Sequence, residues 1–259
     1  MKRVLKIDFA KYSSIKIGGV LEVEQITASS SFDGIIIGGA NNLLISPDFK
    51  GALGILSDEF DYIKREDNLL KIGAKTSSAK IYKYAKDNNI SGFEMLSHIP
   101  GFLGGLLKMN AGLKGLSISD NLASLRTASG ELAKDKCGFA YRKSEIKDVI
   151  FEGVFSIKSG FDNALYESLK QARANQPRGA SFGSIFKNPS GASAGALIEA
   201  VGLKGHKIGA CELSSKHANF LINHGGARFD GALALINLAK KRVFEHSSIR
   251  LEEEVVILK

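Results

Sequence analysis

Cysteine, tryptophan and long apolar runs are scarce or missing in this sequence of 259 residues, which has two cysteines and no tryptophan. Cys137 and Cys211 lie far apart, so the sequence predicts neither a disulfide framework nor a cysteine metal site. This cysteine usage is typical of a reducing cytoplasm, and we expect a cytoplasmic protein. No apolar run approaches the roughly 18 residues of a membrane-spanning helix, so we expect no such span. The first residues alternate charge and lack an apolar core, so we expect no signal peptide.

The five histidines do not follow a metal-binding spacing such as H-E-x-x-H, and we expect no metal site. They are His98, His206, His217, His224 and His246.

Blocks of like charge are also missing, although the net charge is +8, from 35 basic and 27 acidic residues. The basic residues are mostly single and scattered, without the basic and aromatic interleaving of nucleic-acid-binding segments. We therefore expect no nucleic-acid partner. A phosphorylated small ligand or a lysine-rich proteome accounts for the excess charge equally well.

Common nucleotide and hydrolase motifs are absent as well. The segment IGGANN (residues 37–42) is not the G-x-G-x-x-G fingerprint, and no G-x-x-x-x-G-K-[ST] loop is present. Ser184 lies in G-S-I-F rather than in a G-x-S-x-G elbow. If a nucleotide cofactor binds, two separated loops rich in glycine and asparagine must hold it, on a fold other than Rossmann.

The segment HIPGFLGGLLKMNAG (residues 98–112) is the second of these loops. Glycine lacks Cβ and tolerates positive φ, so this backbone can approach a ligand closely, and its N–H groups suit a pyrophosphate. Pro100 can start a short helix at residues 104–109 that aims further N–H groups outward. The alternative is a tight glycine turn that packs two elements together.

Hydrophobic periodicity gives the coarse architecture. Short strands at Ile35–Ile37 and Leu43–Ile45 precede an amphipathic helix capped by Ser77 and Ser78. A long helix begins at Asp230, and residues 249–258 alternate as a strand. We place a domain boundary near residue 158.

Three further segments carry reactive side chains. Each segment also has a plain structural interpretation: the arginine after a tyrosine as a solvated strand residue, the serine as part of an ordinary turn, and the glutamates as a surface run. FAYRKS carries Tyr141 and Arg142 at a predicted strand end, GSIFKNP carries Ser184, Lys187 and Asn188 in a tight loop, and LEEEV carries Glu254 on the polar side of a strand.

In this order, the motifs closely resemble the UDP-N-acetylenolpyruvoylglucosamine reductase family. The series runs IGGANNLLIS, GFEMLSHIPGFLGGLLKMNAG, FAYRKS, QPRGASFGSIFKNP, KHANFLIN and LEEEV, and it covers about residues 14–255. GSIFKNP followed by KHANFLIN is the most specific part. The short gap before GSIFKNP resembles the family's shorter class, which lacks an inserted segment with a gating tyrosine.

The resemblance implies an α+β fold with two domains. Residues 1–158 would form an FAD-binding domain of the vanillyl-alcohol-oxidase type, with subdomains at about 1–75 and 76–158. Residues 159–259 would form an α+β substrate-binding domain, whose last strand (about 249–258) brings Glu254 to the active site.

The resemblance also implies roles for individual residues. Arg142, Ser184 and Glu254 would be catalytic, with Ser184 as the proton donor. Tyr141, Gln176, Lys187 and Asn188 would bind the substrate. The two FAD loops would contribute Gly38, Gly39, Ala40, Asn41 and Asn42, and Ile99, Pro100, Gly101, Gly104, Gly105, Asn110, Ala111 and Gly112. The sequence departs from the family pattern at Ala40, Phe102, Leu106 and Val256.

The implied reaction is an NADPH-dependent reduction in peptidoglycan synthesis, with FAD as cofactor. Its substrate is UDP-N-acetyl-3-O-(1-carboxyvinyl)glucosamine and its product is UDP-N-acetylmuramate. Arg142 suits stabilisation of the enolate-like charge, because a guanidinium does not lose its proton. We expect a monomer without a membrane partner. Another flavin-dependent oxidase on the same scaffold and a non-catalytic nucleic-acid-binding protein are the alternatives.

Overall fold

The computed structural model describes residues 2–259. Within these residues the chain forms sixteen β-strands and six α-helices. They are β1 (Arg3–Asp8), α1 (Phe9–Tyr12), β2 (Val20–Ile26), β3 (Ile35–Ile36), β4 (Leu43–Ile45), β5 (Leu53–Leu56), β6 (Ile63–Glu66), β7 (Leu69–Gly73), α2 (Ser78–Asp87), α3 (Leu103–Lys108), β8 (Gly112–Leu113), β9 (Leu116–Ser117), β10 (Leu122–Thr127), β11 (Gly130–Ala133), β12 (Ile150–Ser156), α4 (Asn163–Ala172), α5 (Ala194–Ala200), β13 (Lys207–Ile208), β14 (Cys211–Leu213), β15 (Leu221–Asn223), α6 (Phe229–Ser247) and β16 (Val256–Leu258).

Helices α2 and α6 begin within one residue of where the sequence predicts them, whereas α1 was not predicted. The side chain of Ser77 accepts a hydrogen bond from the Lys80 N–H at 3.2 Å and caps α2, whose Ile81 and Ala85 are buried. The long helix predicted from Asp230 is α6, which begins at Phe229 and ends at Ser247, and the following Ser248 caps it with a left-handed backbone.

The final strand is much shorter than the sequence predicts. Residues 249–258 were expected to form one strand, but only β16 (Val256–Leu258) does so. The preceding residues lie along a loop instead: the Glu254 N–H donates to the Ile185 carbonyl at 2.8 Å, and Phe186 forms an isolated antiparallel bridge with Glu253. The prediction of a strand over residues 249–255 is wrong, because this segment pairs with a loop and not with a regular strand.

The chain folds into two compact units. Unit 1 comprises Met1–Leu5, Val23–Gly38 and Ala52–Ala174, and unit 2 comprises Lys6–Glu22, Gly39–Gly51 and Asn175–Lys259. Each unit therefore combines separate segments, whereas the predicted domains are continuous. The functional division at residue 158 stays a prediction.

Unit 1 contains a five-stranded antiparallel sheet in the order β11-β10-β12-β7-β6. Helix α3 packs against β7 and β12. Buried side chains such as Ile72, Leu103, Leu107 and Phe155 form the core there. In the same unit, β5 pairs in parallel with β3 and with residues 24–26 of β2. The core fixes α3, and with it the second glycine loop.

Unit 2 contains the antiparallel sheet β13-β14-β15 and helices α5 and α6, which pack against each other. Helix α6 also packs against β13 and β14. Strand β16 pairs in parallel with β4, so that Val256 lies opposite Leu43. The N-terminal residues Ile15, Ile17 and Leu44 belong to the same apolar core. Unit 2 thus combines early and late parts of the chain.

Residues 2–259 contain neither a helix suited to crossing a membrane nor a cluster of metal-ligating side chains. No helix there has the length and apolar character that crossing a membrane requires. No group of three or more His, Cys, Asp or Glu side chains in the same residues could hold a metal ion.

Candidate active site

The second glycine loop is held by backbone hydrogen bonds within unit 1. The Gly101 carbonyl accepts from the Ser78 N–H at 2.9 Å. The Leu103 N–H donates to the Thr76 carbonyl at 3.0 Å, and the Gly104 N–H donates to the Ala74 carbonyl at 2.9 Å. The expectation that the short helix aims its first N–H groups at a ligand is therefore wrong for Leu103 and Gly104, whose donors are used within the protein.

The loop glycines serve two different purposes. A Cβ on Gly112 would lie 2.1 Å from the Leu116 carbonyl oxygen, and one on Gly104 would lie 3.2 Å from the Ala74 Cβ. These two glycines are explained by close packing, as the alternative interpretation predicts. A Cβ on Gly105 would meet nothing within 4 Å. Gly105 thus leaves open space beside α3, where a ligand could approach the backbone.

Asn110 is buried at the end of this loop with a positive φ of 45°. Its side-chain amide donates to the Ala140 carbonyl at 3.1 Å. Its Oδ1 atom is buried and has no hydrogen-bond partner among the described residues. Because buried polar atoms are nearly always paired, this acceptor suits a donor from a bound ligand.

Arg142 lies in a tight turn and not at the strand end predicted from the sequence. Ala140 and Lys143 form an isolated bridge, and Tyr141 and Arg142 are the two residues between them. Arg142 has a φ of 54°, a left-handed conformation that is costly for a residue with a Cβ. Its Nη2 donates to the Gly112 carbonyl at 2.8 Å, and its Cζ lies 5.1 Å from the centroid of the exposed Tyr141 ring. Such strain is often retained at functional sites.

The other flank of this turn is also attached to α3. The Ser144 hydroxyl donates to the Lys108 carbonyl at 2.6 Å, and the Lys108 ammonium donates to the Ile146 carbonyl. Burial lowers the pKa of Lys108 below its ordinary value. Hydrogen bonds on both sides therefore fix the turn against α3 and the end of the glycine loop.

In unit 2, the first glycine loop contacts the segment that carries Glu254. The Asn42 side-chain amide donates to the Glu254 carbonyl at 2.9 Å, and the Asn42 carbonyl accepts from the Val256 N–H at 3.0 Å. Ala40 has a φ of 47° and is buried. Its carbonyl accepts from the Ser14 N–H at 3.3 Å. Gly39 and Asn41 are half-buried in the same loop.

The segment GSIFKNP is held in place by Asn219. The Asn219 Oδ1 accepts from the Phe186 N–H at 2.9 Å, and its Nδ2 donates to the Phe186 carbonyl at 2.8 Å. The backbone carbonyl of Asn219 accepts from the Ile185 N–H at 2.9 Å. Ser184 itself forms an isolated bridge with Phe220. Since Ile185 also binds the Glu254 N–H, the segments that carry Ser184 and Glu254 are direct neighbours.

The expected substrate-binding residues have partners of their own. Lys187 forms an ion pair with Glu252, and its N–H donates to the Glu252 carbonyl at 2.9 Å. The Asn188 Oδ1 accepts from the Ala194 N–H at 3.0 Å and thereby helps to cap α5, a structural role that sequence reasoning missed. Gln176 is half-buried in the segment after α4.

The structure thus forms two groups from the predicted residues, one in each unit. In unit 1, Arg142 donates to the Gly112 carbonyl, and Asn110 donates to the Ala140 carbonyl at the start of the same turn. In unit 2, Ser184 and Lys187 lie beside the Glu254 segment, which Asn42 contacts from the first glycine loop. Sequence reasoning missed the structural importance of Asn219, although it lies in the KHANFLIN motif that signalled the family.

Comparisons with known proteins match these segments to one family. A family model described as "UDP-N-acetylenolpyruvoylglucosamine reductase, C-terminal domain" matches residues 175–258. A UDP-N-acetylenolpyruvoylglucosamine reductase of Campylobacter jejuni (strain RM1221) is 54% identical over 257 residues, which cover 97% of this chain and 99% of the relative. The chain belongs to the UDP-N-acetylenolpyruvoylglucosamine reductase family.

Further members of this reductase family agree over the whole length. The Helicobacter hepaticus protein of the same name is 48% identical over 258 residues, covering 97% of this chain and 98% of the relative. The solved structure of the Thermus caldophilus reductase has a TM-score of 0.87 at 28% identity and covers 100% of both chains. These matches confirm that the chain has the fold of this reductase family, and its mixture of helices and strands is consistent with the predicted α+β class.

At two positions where the sequence departs from the reductase family pattern, the residue takes part in the packing or backbone pairing of unit 1. Leu106 is buried in the core of unit 1. Phe102 precedes α3 and forms an isolated bridge with Ser77.

Proposed function

We propose that this chain is an FAD-containing, NADPH-dependent reductase of peptidoglycan synthesis. Its substrate would be UDP-N-acetyl-3-O-(1-carboxyvinyl)glucosamine and its product UDP-N-acetylmuramate. The observation that carries this proposal is the 54% identity to a curated reductase over 97% of the chain. The monomeric state and the cytoplasmic location stay predictions.

The residues present fit a flavin. Gly38 has a φ of 51°, and a Cβ there, as at Gly105, would meet nothing within 4 Å, so both positions leave room for a ligand against bare backbone. The buried Oδ1 of Asn110 is an acceptor in need of a donor. The residues that would hold FAD are Gly38, Gly39, Ala40, Asn41 and Asn42 on the first loop, and Ile99, Pro100, Gly101, Gly104, Gly105, Asn110, Ala111 and Gly112 on the second.

When bound, FAD would supply the redox chemistry, a net hydride transfer from NADPH to the β-carbon of the enolpyruvyl group. Arg142 would stabilise the negative charge that develops on the α-carbon and its carboxylate. Its guanidinium is already oriented by the hydrogen bond to the Gly112 carbonyl, so little reorganisation is needed.

Ser184 would donate the proton that completes the reduction at the α-carbon. A serine hydroxyl is a weak acid, but a carbanion is a strong base, so the position of the hydroxyl matters most. Asn219 holds the backbone of Ile185 and Phe186, the two residues that follow Ser184. Glu254, on the neighbouring segment, could assist only in its protonated form.

Tyr141, Gln176, Lys187 and Asn188 are the proposed substrate-binding residues. Lys187 is paired with Glu252 in the structure, so binding of a UDP-sugar through its ammonium would exchange one carboxylate partner for the substrate's diphosphate. The exposed Glu252 can turn into solvent when this happens, since 72% of its side chain is accessible.

The test begins with the purified protein under anaerobic conditions. We expect bound FAD, bleaching of its absorbance by NADPH, and recovery of that absorbance on addition of the enolpyruvyl UDP-sugar. Mass spectrometry would identify a product heavier than the substrate by two hydrogens. Rapid reoxidation by oxygen with no response to the UDP-sugar would instead indicate an oxidase. Colourless protein that binds DNA with a steep salt dependence would exclude the proposal altogether.

A further inference from the structure

Asn42 connects the first glycine loop to the backbone of Glu254. Its side-chain amide donates to the Glu254 carbonyl, and its own carbonyl accepts from the Val256 N–H. These residues are 212 positions apart in the chain, so the contact is produced by the fold and not by local sequence. The parallel pairing of β4 with β16 starts at the next residue, Leu43.

Asn110 makes an equivalent connection from the second glycine loop. Its side-chain amide donates to the Ala140 carbonyl, at the start of the turn that carries Arg142. Arg142 returns the contact by donating to the Gly112 carbonyl, two residues after Asn110. The strained φ of Arg142 requires such support from its surroundings.

Both asparagines therefore use the same chemistry. An amide nitrogen donates to a backbone carbonyl of a segment that carries a proposed catalytic residue, and the asparagine itself belongs to a proposed cofactor loop. Cofactor contact alone would not require either amide to face inward toward a distant backbone carbonyl.

We propose that Asn42 and Asn110 are positioning residues that attach Glu254 and Arg142, respectively, to the two glycine loops. This inference rests on the proposed function for the roles of Glu254 and Arg142. Its consequence is that a displaced loop also displaces the catalytic residue attached to it, so cofactor binding and the alignment of the catalytic residues are coupled.

The kinetic test uses Asn42→Asp and Asn110→Asp, which keep the side-chain shape and remove the amide donor. Aspartate also tolerates the positive φ at residue 110. Anaerobic rapid mixing measures flavin reduction by NADPH and flavin oxidation by the enolpyruvyl UDP-sugar separately. We expect the oxidation step to slow by about five- to tenfold more than the reduction step, the effect of losing one such hydrogen bond.

The second variants are Asn42→Ala and Asn110→Gly, which remove the amide without adding charge, and glycine accepts the backbone at residue 110. These variants should also slow flavin oxidation by the UDP-sugar more than flavin reduction by NADPH. The matched control is Asn223→Asp. The Asn223 amide donates to the Ile15 and Lys16 carbonyls, outside the proposed site, so its loss should lower thermal stability without separating the half-reactions.

A double variant tests whether Asn42 acts through Glu254. If it does, Asn42→Asp combined with Glu254→Gln oxidises no more slowly than Glu254→Gln alone, because the two changes affect one unit. If the oxidation rate of the double variant instead falls by the product of the two single effects, the proposal is overturned. The proposal is also overturned if the asparagine variants slow both half-reactions equally, or if excess FAD restores their lost rate. Either result would mean that the asparagine acts only by binding the cofactor.

A measurement independent of activity uses hydrogen–deuterium exchange on the purified protein. We expect faster exchange in the peptide over residues 252–258 for Asn42→Asp, and in the peptide over residues 139–144 for Asn110→Asp, with neither changed in Asn223→Asp. Unchanged exchange in both peptides would overturn the proposal. If the wild-type protein fails to reduce the UDP-sugar, the proposed function fails, and the exchange data still decide whether the asparagines hold these segments.

Discussion

Replacing Asn219 with alanine should destabilise unit 2 strongly, because it removes both side-chain hydrogen bonds that hold the Phe186 backbone. Asn219 and Phe186 are 3% and 1% exposed, so water cannot replace the lost partners. The Phe186 N–H and carbonyl would both be left buried and unpaired. Each of the two groups costs about 1–3 kcal/mol, so the free energy of unfolding should fall by about 2–6 kcal/mol.

That loss is a large fraction of the roughly 5–15 kcal/mol that stabilises a typical protein. Urea unfolding followed by circular dichroism would measure it, with hydrogen exchange of peptides from residues 175–259 assigning the transition to unit 2. The matched control is Asn88→Ala, which removes an exposed amide that donates to the Tyr84 carbonyl at 2.9 Å. We expect the control to change stability by less than about 0.5 kcal/mol.

The reasoning would be refuted if Asn219→Ala unfolded within about 0.5 kcal/mol of the wild type. It would also fail if the loss of protection were found in unit 1, because Asn219 and its partners all belong to unit 2. In protein that remains folded at low temperature, the oxidation of reduced flavin should also slow, since Ser184 is adjacent to the released segment.

Three further predictions concern single positions. Ser184→Ala should leave flavin reduction by NADPH unchanged and slow reoxidation by the UDP-sugar by about 10²–10⁴-fold in rapid-mixing experiments; reoxidation at the normal rate would remove Ser184 from the mechanism. Gly105→Ala should stabilise the flavin-free protein by up to about 1 kcal/mol, because alanine is a better helix former than glycine. The same change should weaken FAD binding measured by titration, because the new methyl group fills the open space beside the backbone. Unchanged FAD affinity would mean that no ligand approaches there. Burial raises the pKa of Glu212, but hydrogen bonds from Ser215 and His224 outweigh it, and the net pKa lies below the ordinary value. Since the folded-state pKa is lowered, this stabilisation is present above the ordinary carboxyl pKa and is lost as the pH falls through the folded-state pKa. The urea midpoint of the wild type should therefore drop further on acidification than that of Glu212→Gln. Parallel plots of urea midpoint against pH for the two proteins would contradict the assignment.

Local signals in the sequence predicted the elements that depend on near neighbours. Ser77 before an amphipathic run located α2, and a three-residue apolar run located β4 at Leu43–Ile45. Helical spacing from Asp230 located α6. In each case the hydrogen-bonding pattern or the buried face repeats within a few residues, so periodicity suffices.

Contacts between distant segments were not predictable in this way. Alternation over residues 249–258 indicated a strand, yet the partner of its first part is the loop around Phe186 and that of its last part is β4. Nothing local indicates that Arg142 adopts a positive φ, because the support comes from the glycine loop some 30 residues earlier. The role of Asn188 at the start of α5 was hidden for a different reason, since the motif directed attention to the substrate.

The pairing of β16 with β4 has a consequence for synthesis on the ribosome. Residues 43–45 leave the ribosome long before residues 256–258 are made, so β4 waits for its parallel neighbour through most of translation. Unit 1 needs nothing beyond Ala174, whereas unit 2 needs segments from both early and late translation. The nascent chain must therefore keep Ile15, Ile17 and Leu44 out of aggregates until their late-made partners emerge, and it is during this interval that a chaperone would be of most use.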